Sequence, residues 1–182
     1  MLTDEQKQIL LQVARQSLEA AVNDAPPPVF PTDDPALLEE RGAFVTLKRQ
    51  GQLRGCLGYV EGIKPLIEAI ADNAAASALR DPRFGPVRPA ELPEIHIEVS
   101  ALTPLVHVEN PDAVEVGKHG LMVCLGANRG LLLPQVPVEE CWDREQFLSY
   151  TCHKAGLSPQ DWQDPAAQLY SFEAEVFGEN EG

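Results

Sequence analysis

The chain has 182 residues, 44% of them hydrophobic and 23% charged, a balance suited to one globular domain or two closely packed halves with a real core. Its net charge of −14 excludes the broad basic surface that nucleic-acid phosphates require. No apolar run approaches the ~18 residues of a membrane span, and the polar start MLTDEQKQ carries no signal-peptide pattern, so a cytoplasmic protein is expected.

Thr3 to Val22 reads as a helix, with Thr3 and Gln6 spaced as a capping box and Leu10, Val13, Ala14, Leu18 and Ala21 in one apolar stripe. The proline-rich NDAPPPVFPTDDP then predicts an extended surface crossing. AFVTLKRQGQLRGCLGYV reads as a β-hairpin turning at Gly51. Pro65 opens a second helix that runs to about Leu79, its small-sided NAAASAL able to pack close to a sheet. DPRFGPVRPAELP is a stiff irregular loop, and EIHIEVSAL alternates as a strand, with Ile95, Ile97 and Val99 on one side and His96, Glu98 and Ser100 on the other.

The order then recurs. GLMVCL at 120–125 is a strand, GANRG a turn, LLL a strand and PQVPVEE a loop. Asp143 caps a helix through Lys154 that Gly156 closes, and LYSFEAEVF is the last strand, with Tyr170, Phe172, Ala174 and Val176 on one face. Arg54-Gly55 and Arg129-Gly130 are 75 residues apart, as are the closing strands. The opening strands differ by 78, which implies a second hairpin loop three residues shorter. Two related hairpin-helix-strand repeats, about 42–102 and 120–177, predict an α+β fold in which helices pack on an antiparallel sheet.

The chemistry concentrates in LRGCLG. Gly55 and Gly58 permit close backbone approach, and Arg54 can grip a carboxylate or phosphate or lower the pKa of Cys56. Cys56 itself reads either as a nucleophile or as a small buried thiol beside a close-packed helix. Arg83 lies on the proline-stiffened loop, Glu98 and Ser100 share a strand face, Gln135 can present an amide, and His119 stands ahead of a strand as a candidate base. Residues 1–40 sum to −6, 41–90 to +4 and 91–182 to −12, so a local basic patch for a small anionic ligand competes with plain solvated acidic faces. Cys56, Cys124, Cys141 and Cys152 form no C-x-x-C and read as free thiols, and the four histidines are scattered, so no metal site is expected. There is no P-loop, GxGxxG, GxSxG or HExxH, so no cofactor class is marked.

Taken together, LRGCLG, DPRFGPV, ELPEIHIEVSALTPL, VGKHGL, LLLPQV, CWDREQFL and HKAGL resemble the successive motifs of the AMMECR-type domain, called AmmeMemoRadiSam system protein A in bacteria and archaea, over roughly residues 5–177. The resemblance implies an antiparallel α+β domain with internal repeats. It also implies two partners, a Memo-like protein and a radical S-adenosylmethionine protein. Its characteristic positions match Arg54, Gly55, Cys56, Gly58, Arg83, Phe84, Glu98, Ser100, His119, Gly120, Pro134, Gln135, Trp142 and Lys154. Two departures are Leu57 for the usual isoleucine and Cys141 for the usual glycine before Trp142, the second suggesting a turn that does not need glycine.

Two functions follow as expectations. One is an accessory protein that binds a small anion or a partner through Arg54, Gly55, Arg83, Glu98, Ser100 and Gln135. The other is an enzyme with Cys56 as nucleophile and His119 as base. A homodimeric scaffold is a third reading.

Overall fold

The structure is a computed structural model and describes residues 1–179. The described chain divides into two compact units, Met1–Leu102 with residues 175–179, and Thr103–Ala174.

The first unit begins with α1 (Asp4–Val22), capped as the sequence requires: Thr3 Oγ1 accepts from Gln6 N and Gln6 Oε1 from Thr3 N. A single turn, α2 (Pro35–Leu38), starts at the Asp34 cap, a helix the proline-rich sequence did not announce. Strands β1 (Ala43–Arg49) and β2 (Gln52–Tyr59) form the expected hairpin around Gln50 and Gly51, both at positive φ, the backbone a two-residue turn demands. Helix α3 (Leu66–Leu79) follows, and after a proline-rich 3-10 turn (Pro89–Glu94) comes β3 (Ile95–Leu102). Ala43, Val45 and Leu47 of β1, Ile97 and Val99 of β3, Ile70 and Ala74 of α3 and Leu10 and Leu18 of α1 are fully or almost fully buried in one core. Period-two and period-3.6 patterns thus meet face to face. Thr46, Cys56, Glu98 and Ser100 point the other way and stay half-buried.

The second unit holds β4 (Val106–His107), β5 (Gly120–Leu125), β6 (Asn128–Leu132), α4 (Val136–Glu139), α5 (Arg144–Lys154) and β7 (Gln168–Phe172). Its sheet order is β4-β7-β5-β6, and its core gathers Leu121, Val123, Phe147, Leu148, Cys152 and Leu169. Asp143 and Gln146 complete a capping box for α5, and Gly156 at φ +74 ends it.

Four expectations need correction. The last strand is two, because β7 ends at Phe172 and β8 (Ala174–Gly178) joins the first sheet, whose order is β2-β1-β3-β8. The shared face expected of Tyr170, Phe172, Ala174 and Val176 therefore breaks at Glu173; Phe172 is buried and Val176 exposed. PQVPVEE is not all loop, since Val136–Glu139 makes one helical turn with Pro137 in its first positions. The second hairpin loop is not shorter, because Asn128 and Arg129 are already strand and the turn is Gly126-Ala127, two residues like the first.

Candidate functional site

Arg54 sits in a β-bulge. Leu47 pairs with Gly55 and Lys48 with Leu53, which leaves Arg54 without a partner across the ladder. A bulge re-aims its extra side chain. Here the guanidinium swings to the proline-rich loop, where Nε and Nη2 donate to Glu91 (3.0 and 3.2 Å) and Nη1 and Nη2 to the carbonyls of Gly85 and Pro86. Glu91 also accepts from Arg49 and from the Arg88 N–H. The Arg54 guanidinium, with the Arg88 N–H, holds the Glu91 carboxyl down to about 2 although it is buried.

Gly55 follows because nothing larger fits. A Cβ there would lie 2.2 Å from the backbone carbonyl oxygen of Ser77 in α3. In the second unit a Cβ on Gly130 would likewise lie 2.4 Å from the backbone nitrogen of Ala155. Ser77 stitches helix to sheet: its Oγ donates to Val45 O (2.7 Å) and accepts from Leu57 N (2.8 Å).

Cys56 comes next, held by its backbone. Its N–H donates to Asp81 Oδ2 (2.9 Å), and its carbonyl accepts from Arg83 Nη2 (3.2 Å). Arg83 in turn grips both Asp81 oxygens through Nε and Nη2, which pushes the Asp81 carboxyl far below its usual range. Asp81 is buried, whereas the Arg83 side chain is 54% exposed. Phe84 lies between the two arginines, its ring centre 6.0 Å from Arg54 Cζ and 5.6 Å from Arg83 Cζ. The Cys56 thiol accepts from a neutral group, Thr46 Oγ1, at 3.2 Å. Thr46 pairs with Cys56 on one side and Glu98 on the other, so the three form a row across β2, β1 and β3. Glu98 takes the Lys48 ammonium at 2.8 Å, and Ser100 lies two residues further along β3, opposite Phe44.

The remaining candidates belong to the second unit. His119 Nδ1 accepts from the Glu115 N–H at 3.0 Å, and its Nε2 lies 3.9 Å from Glu173. An imidazole that accepts at Nδ1 carries its proton at Nε2, facing a carboxylate, so His119 has no free lone pair with which to act as a base. Gln135 is the exposed residue that opens α4, its carbonyl accepting from Val138 N and Glu139 N. The geometry thus gives the Cys56–His119 pair no support.

The sequence reading missed Asp81, Glu91, Thr46 and Ser77. Asp81 and Glu91 did leave a signal, as acids beside arginines in a proline-stiffened loop, but Cys56 and Arg54, which they hold, lie 25 and 37 residues away in the sequence. Cys141 was misjudged: its φ is +56, so the turn before Trp142 does adopt the conformation that suits glycine. Among the described residues, no group of three or more His, Cys, Asp or Glu could hold a metal ion, and no helix is long and apolar enough to cross a membrane.

An α+β chain with helices on antiparallel sheets, and an Arg-Gly-Cys-Leu-Gly strand clamped by an Asp-Pro-Arg-Phe loop, defines a distinct class of small domain. The AMMECR1 family model matches residues 11–177, and the chain belongs to this family. It is 47% identical over 195 residues to Protein MK0488 of Methanopyrus kandleri, covering 99% of this chain and 91% of that protein. It is 45% identical over 192 residues to Protein TK0174 of Thermococcus kodakarensis, covering 98% and 92%. The crystal structure of uncharacterized protein PH0010 from Pyrococcus horikoshii is similar with a TM-score of 0.85 and 43% identity, over 98% of this chain and 94% of that one.

Proposed function

We propose that this AMMECR1-family protein is an accessory binding component, and that the clamped Cys56 strand is where it meets a protein partner. The observation that carries this reading is the Asp81–Arg83 pair. It fixes the Cys56 backbone from both sides and leaves a half-exposed guanidinium at the Cys56 carbonyl. Rigid polar groups on a strand suit recognition, because little conformational entropy is lost on binding. A free small anion is a weaker fit, since both candidate arginines are already paired with carboxylates. The family resemblance suggests the Memo-like protein and the radical S-adenosylmethionine protein as the partners, with the polar row Cys56, Thr46 and Glu98 in the contact.

Mixing the purified chain with each of these proteins from the same organism and following sedimentation tests the reading. The wild type is expected to co-sediment with one of them. Arg83→Glu is expected to weaken that complex by at least about 10-fold, and Cys56→Ser to leave it nearly intact. Co-sedimentation that survives Arg83→Glu places the contact elsewhere, and none at all removes the proposal.

A further inference from the structure

Both tryptophans of the chain, Trp142 and Trp162, lie in the second unit and pack beside α5. Two cavities of about 400 and 470 Å³ flank the first turn of this helix and share Asp143 and Glu145 as walls. The first adds Gln146, Ser149, Tyr150, His153 and Pro159; the second adds Asn110, Pro111, Asp112, Arg144, Leu148 and Trp162. Trp142 stacks on Tyr150 with ring centres 4.0 Å apart and planes 6° from parallel, and Tyr150 is 45% exposed. Among the residues that line these cavities, Asp112, Asp143 and Glu145 are carboxylates and Arg144 is the one guanidinium.

That one guanidinium is informative. Arg144 Nη1 donates to the Asp112 carbonyl and Nη2 to Asp112 Oδ1, at 3.0 and 2.9 Å. The groove therefore already accommodates an arginine fork on a carboxylate and a backbone carbonyl. Trp162 adds an indole ring to the wall of the second cavity. Aromatic walls together with carboxylates that outnumber guanidinium groups fit an extended peptide that carries arginine.

We propose that the groove along the N-terminal half of α5 is a docking site for an arginine-rich, extended segment of a partner protein. The guanidinium groups meet Glu145 and the Tyr150 face, and the chain runs along the wall that Trp162 helps to form. This surface belongs to the second unit, and the proposal does not rest on the function proposed above.

Because Trp162 lines the second cavity and Trp142 stacks on Tyr150, intrinsic fluorescence reports binding without a label. The probe is the acetylated, amidated peptide Gly-Arg-Gly-Arg-Gly-Arg-Gly, with the matching glutamate peptide as control. The arginine peptide is expected to change tryptophan emission saturably, and the glutamate peptide to leave it unchanged. Glu145→Arg is expected to weaken binding by about 10-fold or more, and Tyr150→Ala by several-fold. Glu19→Arg, an equal change of charge on exposed α1, is expected to have little effect. Far-ultraviolet circular dichroism and thermal melts confirm that each variant is folded. Absence of a saturable response, or equal weakening by Glu145→Arg and Glu19→Arg, overturns the proposal; the latter marks attraction to the net charge alone.

Discussion

Replacing Glu91 with glutamine tests the frame around the cysteine strand. Glu91 is 7% exposed and is reached by Arg49, Arg54 and the Arg88 N–H. Its carboxyl ionises at about 2 in the fold against an ordinary 4.5. That difference corresponds to about 3 kcal/mol of native-state stabilisation carried by the charge, a figure the remaining hydrogen bonds of glutamine reduce to about 2. The pH dependence has a definite sign. Above pH 4.5 both folded and unfolded chains hold the group ionised and the contribution is complete. As pH falls from there towards 2, the unfolded chain takes up a proton that the fold refuses, and the contribution fades. Urea unfolding of wild type and Glu91→Gln at pH 7, 5, 4 and 3 is the assay, read as the difference between the two proteins. The gap is expected to be widest at pH 7, unchanged at pH 5 and narrowing by pH 3. A gap that does not narrow on acidification shows that the loss comes from packing and not from charge.

Three further perturbations have defined outcomes. Cys141→Gly is expected to stabilise the protein by about 0.5–1 kcal/mol in urea unfolding, because φ +56 costs an L-residue more than glycine's extra unfolded-state entropy; a destabilised variant removes the argument. Gly55→Ala is expected to cost about 3 kcal/mol or to prevent folding, because the backbone oxygen 2.2 Å from the new Cβ cannot move without α3, and an unchanged melting temperature contradicts this close packing. With iodoacetamide at pH 7.5, exposed Cys141 is expected to react first, half-buried Cys56 more slowly and buried Cys152, whose thiol burial pushes up, last. A Cys56 that reacts faster than Cys141 restores the nucleophile reading.

The capped helices were legible because their signals are local. Thr3 with Gln6 and Asp143 with Gln146 are spaced three apart, and each pair forms the reciprocal bonds that spacing allows. Strand β3 was legible because one face is core and the other is not, so alternation records burial directly. The break between β7 and β8 was illegible for the same reason: LYSFEAEVF keeps alternating through Glu173 while the chain changes sheets. The candidate site divides similarly. Gly55 announces a tight contact, but that the contact is Ser77 O depends on how α3 returns to the sheet. Strict alternation puts Arg54 on the thiol's face only in a regular strand, which Gly55 and Gly58 argue against; that the resulting bulge turns Arg54 towards Glu91, 37 residues away, has no local signature.

The paired arginines also decide what the local charge can do. The segment 41–90 sums to +4, which suggests a basic patch. Yet Arg49 and Arg54 are spent on Glu91 and Glu94, Arg83 on Asp81 and Lys48 on Glu98. Glu91, Glu94 and Glu98 lie just beyond the segment's end, so the count separates charges that the fold brings together. At these separations of about 3 Å the opposite charges cancel beyond a Debye length, about 8 Å at physiological salt. A partner approaching the Cys56 strand therefore meets shape and hydrogen-bonding groups and little net field. Its association is expected to change less than about 3-fold between 0.05 and 0.3 M salt, whereas the groove beside α5, where carboxylates outnumber guanidinium groups, is expected to lose an arginine peptide by 10-fold or more over the same range. Titrations of both interactions across that range compare the two surfaces on one protein. Equal, steep salt dependence at the Cys56 strand means that its ion pairs open when a partner binds and that the arginines act as charges after all.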